Sequence, residues 1–301
     1  MSLRVSQLTK LYGTQKALDE VTFEANPGRI LGFLGPNGAG KSTTMKIITG
    51  YLAADGGSVQ VMGEDALQAP KKVSPFIGYL PEHNPLYLDM YVREFLEFSA
   101  GIYGMSGQLK NQRVKELLEK VGLRPEQHKK IGQLSKGYRQ RVGLAKALIH
   151  DPKVVILDEP TTGLDPNQLV EIRNLIAEIA VDKTMILSTH IMQEVEAICQ
   201  DVVIINKGKI LASDALENLS IAEQKVQLLI ETEEALELSW FETLGEISFG
   251  KKGSSSLIIS CEDPNETRKE AMKIIQQKGL NLISMNQNKK NLEQIFRDIT
   301  R

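Results

Sequence analysis

The stretch GPNGAGKST, residues 35–43, sets glycines at 35, 38 and 40 ahead of a lysine and two hydroxyls. Glycine lets backbone N–H groups approach an anion with no side chain between them. Lysine adds a mobile positive charge, and a hydroxyl oxygen is a hard ligand for Mg²⁺. Gly35, Gly40, Lys41 and Ser42 fit G-x-x-x-x-G-K-[ST]. Gly35, Pro36, Asn37, Gly38, Ala39, Gly40, Lys41, Ser42 and Thr43 are therefore expected to cradle the phosphates of a nucleotide. A dinucleotide site does not fit, because no G-x-G-x-x-G can be drawn here. Farther along, VVILDEP ends an apolar run on Asp158 and Glu159. Adjacent strand residues point to opposite faces, so the two carboxylates take separate jobs. Asp158 is placed to hold Mg²⁺ through water, and Glu159 to polarise an attacking water as general base. A capped strand end is the plainer alternative, but two acids closing an apolar run are expensive unless a cation is near.

A third stretch, LSKGYRQR at 134–141, begins a helix in an odd way. Ser135 suits an N-cap, since its hydroxyl accepts from an otherwise unpaired backbone N–H. Gly137 in the first turn costs about 1 kcal/mol relative to alanine. That cost suggests that something must come close to the backbone. A helix N-terminus favours an anion, yet the phosphate loop lies far upstream.

These residues need elements to hold them. LRVSQLTKLY and VTFEA alternate as half-buried strands, and RILGFL is a buried run that stops at glycines. After the phosphate loop, KSTTMKIITGYL has its apolar residues near helical spacing. Between about 85 and 150 the stretches YVREFLEFSAGIYG, NQRVKELLEKVGL and GYRQRVGLAKALI each carry an apolar helical stripe. Strand patterns return at KVVILDEP and TMILSTH, with the helix PNQLVEIRNLIAEIA between them, and DVVIINKGKILAS reads as a hairpin around Asn206-Lys207-Gly208. From about 222 the order is strand KVQLLIET, helix EALELSWFETL, strands EISFG and SLIISCE, helix ETRKEAMKIIQQKG, strand LNLISMN and closing helix NLEQIFRDIT. That βαββαβ order suggests a small ferredoxin-like α+β domain over 221–301, behind an α/β domain over 1–220.

The 301 residues are enough for two domains. Lys plus Arg number 36 against 38 Asp plus Glu, which leaves no basic footprint for nucleic acid. Two cysteines, Cys199 and Cys261, lie far apart and point to no disulfide framework. MSLRVSQLTK lacks the apolar core of a signal peptide. VVIL and VVII are too short to cross a bilayer, so no membrane span of its own is expected.

The ordered motifs over residues 3–213 resemble the ATP-binding cassette (ABC) family of P-loop NTPases. LSKGYRQR resembles the family's signature sequence, and GLD at 163–165 its D-loop. His190, after MILST, falls at the switch histidine, and Tyr12, in KLYGTQKAL, at the aromatic that stacks on adenine. The resemblance implies an ABC fold with a β-lobe and a helical subdomain at about 85–150, ATP and Mg²⁺ as ligands, and ATP hydrolysis with Lys41, Glu159 and His190 as catalytic residues. It implies two ATPase subunits, identical or different, meeting head to tail, with Ser135 and Gly137 of one covering the γ-phosphate held by the other. It also implies a separate transmembrane permease, with this subunit peripheral at the cytoplasmic face of the cell membrane. Leu86, Tyr87, Leu88, Met90 and Tyr91 fall on the face that docks such a permease.

Two positions depart from the family pattern. The usual signature is Leu-Ser-Gly-Gly-Gln, where this chain has Lys136 and Tyr138. Glu82, in GYLPEHNPLY, stands where the family often has Gln; as a hard oxygen donor it remains a candidate Mg²⁺ ligand. Both departures are familiar in ABC-2 export-type subunits, and the wording of these segments most resembles the gliding-motility-associated ones. A soluble ABC ATPase of translation or repair is the alternative, weakened by a single cassette and near-neutral charge. A GTPase switch fares worse, since NKGK at 206–209 has Lys209 where guanine recognition needs Asp. A non-catalytic regulatory module is disfavoured by Glu159 and His190 together. Nothing in 222–301 forms a catalytic constellation.

Overall fold

The alternation at the start of the chain becomes β1 (Leu3–Tyr12), which buries Leu3, Val5 and Leu8 and pairs antiparallel with β2 (Gln15–Ala25). The apolar run RILGFL supplies β3 (Ile30–Leu34), buried along its whole length, which opens through the phosphate loop into α1 (Lys41–Ile48). β4 (Gly56–Val61) and the short β5 (Glu64–Asp65) complete an antiparallel sheet in the order β2-β1-β4-β5. A single turn, α2 (Pro70–Val73), leads to β6 (Ile77–Leu80). The striped region folds into α3 (Val92–Ile102), α4 (Gly107–Lys120) and α5 (Lys136–Leu148), with Phe95, Leu96, Val114, Leu117, Val142 and Leu144 turned inward. The chain then alternates strand and helix: β7 (Val154–Asp158), α6 (Pro166–Ala180), β8 (Thr184–Thr189), α7 (Met192–Ile198) and β9 (Asp201–Asn206). The hairpin partner β10 (Lys209–Ala215) and α8 (Leu216–Ile221) follow. Lys207 and Gly208 turn that hairpin with φ of +47° and +78°. In this computed structural model the described residues are 2–221, 226–250, 253–261, 263–288 and 296.

The second sheet has the order β10-β9-β3-β8-β7-β6, and every pair is parallel except β10 with β9. β3, β7 and β8 are buried at every position, as a parallel sheet covered on both faces requires. Parallel strands end at one common edge, where ligands of open α/β sheets bind. Register sharpens this: Leu34 pairs with Thr189, Asp158 with Ser188, and Leu80 with Leu157. The loops that follow β3, β7, β8 and β6 therefore emerge side by side. Phe23, Phe33, Met45, Ile47 and Val59 belong to one buried cluster that joins α1 to both sheets.

The chain divides into two compact units, Met1–Leu216 and Glu217–Arg301. The second contains β11 (Val226–Thr232), β12 (Glu246–Gly250), β13 (Gly253–Cys261), α9 (Pro264–Gln277) and β14 (Leu282–Asn288). Its strands pair antiparallel in the order β12-β13-β11-β14, and Leu228, Ile230, Leu257 and Ile259 pack with Ala271 and Ile275 of α9. One expectation is corrected here. EALELSWFETL forms no α-helix but two 3₁₀ turns, Leu238–Trp240 and Glu242–Leu244. The Leu236 N–H donates to the Ser254 carbonyl of β13 at 2.6 Å, which ties the start of the segment to the sheet. Phe241 and Leu244 enter the core from these turns. The closing segment NLEQIFRDIT lies outside the described residues, Phe296 excepted.

Candidate functional site

The loop between β3 and α1 is built where side chains do not fit. Gly40 sits at φ +109°, and a Cβ there would meet Leu18 Cδ2 at 2.7 Å and the Ala17 carbonyl at 2.8 Å. A Cβ on Gly35 would collide with the Ile205 carbonyl. The Ala39 N–H donates to the Pro36 carbonyl at 3.1 Å, and the Gly208 N–H to the Ala39 carbonyl at 2.9 Å. α1 has no side-chain cap at its N-terminus, so its first amides are left for an anion. Gly40→Ala is expected to destabilise the fold by about 1–3 kcal/mol, because it adds both strain and clash. A thermal melt and binding of a fluorescent ATP analogue should show lower stability and lost affinity together.

The cleft over this loop encloses about 620 Å³ and is lined by Asn37, Gly38, Gly40, Lys41, Ser42, Thr43, Glu82, Glu159 and His190. Lys41 is 5% exposed, and its Nζ donates to the carbonyls of Gly35 at 2.8 Å and Pro36 at 3.3 Å. The same ammonium lies 3.4 Å from Glu159 Oε1. Carbonyls and a carboxylate hold it where a phosphate anion would be its natural partner.

Glu159 has φ +52°, an uncommon conformation for a residue with a side chain. Its N–H donates to the Ser188 carbonyl at 2.9 Å, so the chain leaves β7 sharply while still tied to β8. That turn separates the neighbouring acids: Glu159 lines the main cleft, while Asp158 lines an adjoining hollow with Ser42, Lys46 and Tyr79. The His190 Nδ1–H donates to both oxygens of Glu159, at 2.9 and 3.0 Å. This arrangement puts the proton on Nδ1 and aims the ring at the carboxylate. The Thr162 hydroxyl donates to Glu159 Oε2 at 3.3 Å.

Asp158 is almost wholly buried, and its Oδ1 has no hydrogen-bond partner. Burial raises its carboxyl pKa, against the hydroxyls of Ser188 and Ser42, while Glu82 and Glu159 push the same way as burial. An orphaned carboxylate oxygen beside the Ser42 hydroxyl fits a divalent cation. Among the described residues no cluster of three or more His, Cys, Asp or Glu could hold a metal alone. A cation here would take Ser42, Asp158 and Glu82 as protein ligands and complete its shell with phosphate oxygens and water, as Mg²⁺ prefers.

Seven expected residues do not line this cleft: Gly35, Pro36 and Ala39 of the phosphate loop, Asp158 in the adjoining hollow, and Tyr12, Ser135 and Gly137. Tyr12 is 53% exposed at the end of β1, with Lys10 Nζ 5.8 Å from its ring centroid; Gln15, its register partner, lines the cleft instead. Ser135 caps α5 by accepting from the Tyr138 N–H at 3.3 Å, and Gly137 is buried in the first turn of that helix. Neither lines the cleft of its own chain. Sequence reasoning missed Gln15, Lys16, Ala17, Thr162 and Lys207, all of which line it.

The model of the family described as ABC transporter matches residues 18–162. An uncharacterised ABC transporter ATP-binding protein of Bacillus subtilis, YxlF, is 34% identical over 295 residues, covering 98% of each chain. The chain belongs to the ABC transporter ATP-binding proteins. The Nod factor export ATP-binding protein I of Burkholderia pseudomallei is 37% identical, over 72% of each chain. A solved ATP-binding subunit of an ABC transporter superposes with a TM-score of 0.67 at 30% identity, covering 74% of this chain and 93% of that one. The fold is thus the ABC ATPase P-loop fold, and the domain binds ATP, generally with Mg²⁺. ATPase activity follows from the family, whose ATP-binding subunits work with membrane permeases. No helix among the described residues of this ABC subunit is long and apolar enough to cross a membrane.

Proposed function

We propose that this chain powers an exporter by hydrolysing ATP between two head-to-tail ATPase subunits, identical or different, at the cytoplasmic face of a separate permease. One observation carries the reading. The phosphate loop, Glu159 and His190 share a cleft, while Ser135 and Gly137, at the start of α5, lie outside the cleft of their own chain. A second subunit supplies the missing half.

Each residue then has a task. The amides of residues 35–43 and Lys41 hold the β- and γ-phosphates. Ser42, Asp158 and Glu82 would hold Mg²⁺, which would neutralise charge that builds on the phosphates in the transition state. Glu159 accepts a proton from the water that attacks the γ-phosphorus, and His190 holds that carboxylate in place. Tyr12, beside the cleft-lining Gln15, would stack on the adenine base. Ser135 and Gly137 meet the γ-phosphate of the partner's ATP. Loss of that phosphate removes the bridging charge and lets the subunits part.

The permease-facing surface is read from exposed apolar residues that follow β6. Tyr87, Leu88 and Tyr91 are about half exposed, and the Tyr87 ring packs on Phe95 and Phe98 at 5.9 and 5.8 Å. Tyr87→Asp with Leu88→Asp should abolish copurification of an integral membrane protein from native membranes. The ATPase rate of the isolated subunit should stay unchanged. Retention of the permease by that variant would remove this face from the reading.

Export is supported by the name of the Burkholderia relative, and a gliding-motility role rests on the wording of the motif segments. The C-terminal unit, from about residue 221, is read as a ferredoxin-like domain whose first helix is reduced to 3₁₀ turns; its sheet order supports that reading.

A further inference from the structure

Glu194 lies on α7, outside the nucleotide cleft, and is fully buried. Its partners are two neutral hydroxyls. Thr161 donates to Oε1, and Thr189 donates to Oε2 at 2.7 Å. Thr189 also accepts from the Ile191 N–H at 3.1 Å, and the Glu194 N–H donates to the Ile191 carbonyl at 3.1 Å. Burying a carboxyl costs more than burying a leucine of like volume, even when it is hydrogen-bonded. Packing therefore does not account for an acid at this position, and the identity of its two partners does. Thr161 stands two residues after Glu159 and accepts, through its carbonyl, from the Leu164 N–H that closes the next turn. Thr189 stands immediately before His190. One side chain thus pins the two segments that carry the Glu159–His190 pair.

We propose that Glu194 is a positioning residue for hydrolysis. It clamps the loop after β7 to the C-terminal end of β8, and so fixes the His190 ring against the Glu159 carboxylate. The inference rests on the roles given above to Glu159 and His190. Besides the His190–Glu159 hydrogen bonds themselves, the Glu159 N–H donates to the Ser188 carbonyl, which holds the backbone but not the register of the two side chains. Both hydroxyls donate, so the arrangement needs an acceptor at each end, which the two side-chain oxygens of Glu194 supply. Glutamine keeps the length and one acceptor, and its amide can donate to a threonine that has turned its hydroxyl round.

Steady-state ATPase measurements on the full chain, with affinity for a fluorescent ATP analogue and a thermal melt, test this. Glu194→Ala is expected to lower kcat by about 10- to 100-fold, the scale of a 1 Å misplacement of a reacting group, with KM and analogue affinity unchanged. Glu194→Gln should restore kcat to within about threefold of wild type, since it keeps hydrogen bonds to both hydroxyls. The triple variant Thr161→Val, Thr189→Val, Glu194→Leu replaces the network by apolar groups of like shape, a nearly neutral exchange for stability. It should fold even where Glu194→Ala does not, and show the same loss of kcat. Wild-type kcat in the folded triple variant overturns the proposal, as does a fall in kcat matched by a loss of nucleotide affinity. Glu159→Gln is assayed beside them. If that variant is inactive while the Glu194 variants are not, this inference alone fails. If it turns over normally, the reading of Glu159 fails and the clamp with it.

Discussion

Glu159→Gln is expected to reduce ATP turnover by about 10²- to 10⁴-fold, the range for a positioned general base. ATP affinity should hardly change. The amide keeps the length and shape of the carboxylate, and the phosphate loop and Lys41 remain in place. What it loses is the ability to accept a proton from water. It also loses one acceptor for the bifurcated His190 Nδ1–H and the charge 3.4 Å from Lys41. Removing that charge frees the lysine for phosphate, so affinity should hold or rise. With hydrolysis blocked and the γ-phosphate retained, a dimer should appear on gel filtration only when ATP is present. Turnover at the wild-type rate would take Glu159 out of the mechanism. A monomer at high protein and ATP concentration would remove the head-to-tail picture while leaving the base intact.

What the sequence shows of this site depends on whether a signal is local. GPNGAGKST reads at once because its glycines are demanded by its own backbone, as the φ of Gly40 shows. The central strands read clearly because β3, β7 and β8 are continuous apolar runs. β6, with only Ile77–Leu80, is too short to announce itself between turns. The split between Asp158 and Glu159 is foreseeable as alternation, but not the left-handed backbone that redirects Glu159. Lys16 and Lys207 line the cleft because β2 and the β9–β10 turn are brought to it by tertiary packing, with no motif in either. Glu194 is silent for the same reason: its partners lie 33 and 5 residues away in chain, one on the loop after β7 and one at the end of β8. EALELSWFETL has the apolar content of a helix, but Leu236 is tied to Ser254 of β13 and Phe241 and Leu244 enter the core from 3₁₀ turns.

At Gly137 the structure supplies a reason for glycine within the chain itself. Its missing Cβ does make room for a close approach, and within the chain the approaching group is Gln168, whose Oε1 would lie 2.6 Å from a Cβ there. A Cβ on Gly163 would likewise collide with the Lys136 ammonium. The signature helix and the turn before α6 are therefore packed on each other inside one subunit. Both belong to one subunit surface, and a partner's nucleotide would meet them as a unit.

Mixing two inactive variants tests that composite site. Lys41→Ala should weaken ATP binding by about 10- to 100-fold, as loss of a charge-assisted hydrogen bond to phosphate implies. Ser135→Ala removes the cap from the Tyr138 N–H, at about 1 kcal/mol of helix stability, and the hydroxyl offered to a partner's γ-phosphate. Each variant alone should be nearly inactive. In a head-to-tail pair of one copy of each, one site combines both lesions and the other combines an intact loop with an intact signature. Random pairing at equal concentrations makes half the dimers mixed, and each mixed dimer has one intact site of two, so activity should return to about a quarter of wild type, as an isologous contact with two reciprocal sites requires. It should vary with mixing ratio and peak at equality. If each chain completed its own site, the mixture would show only the average of its parents at every ratio. The two outcomes differ by far more than assay error, because the parents start near zero.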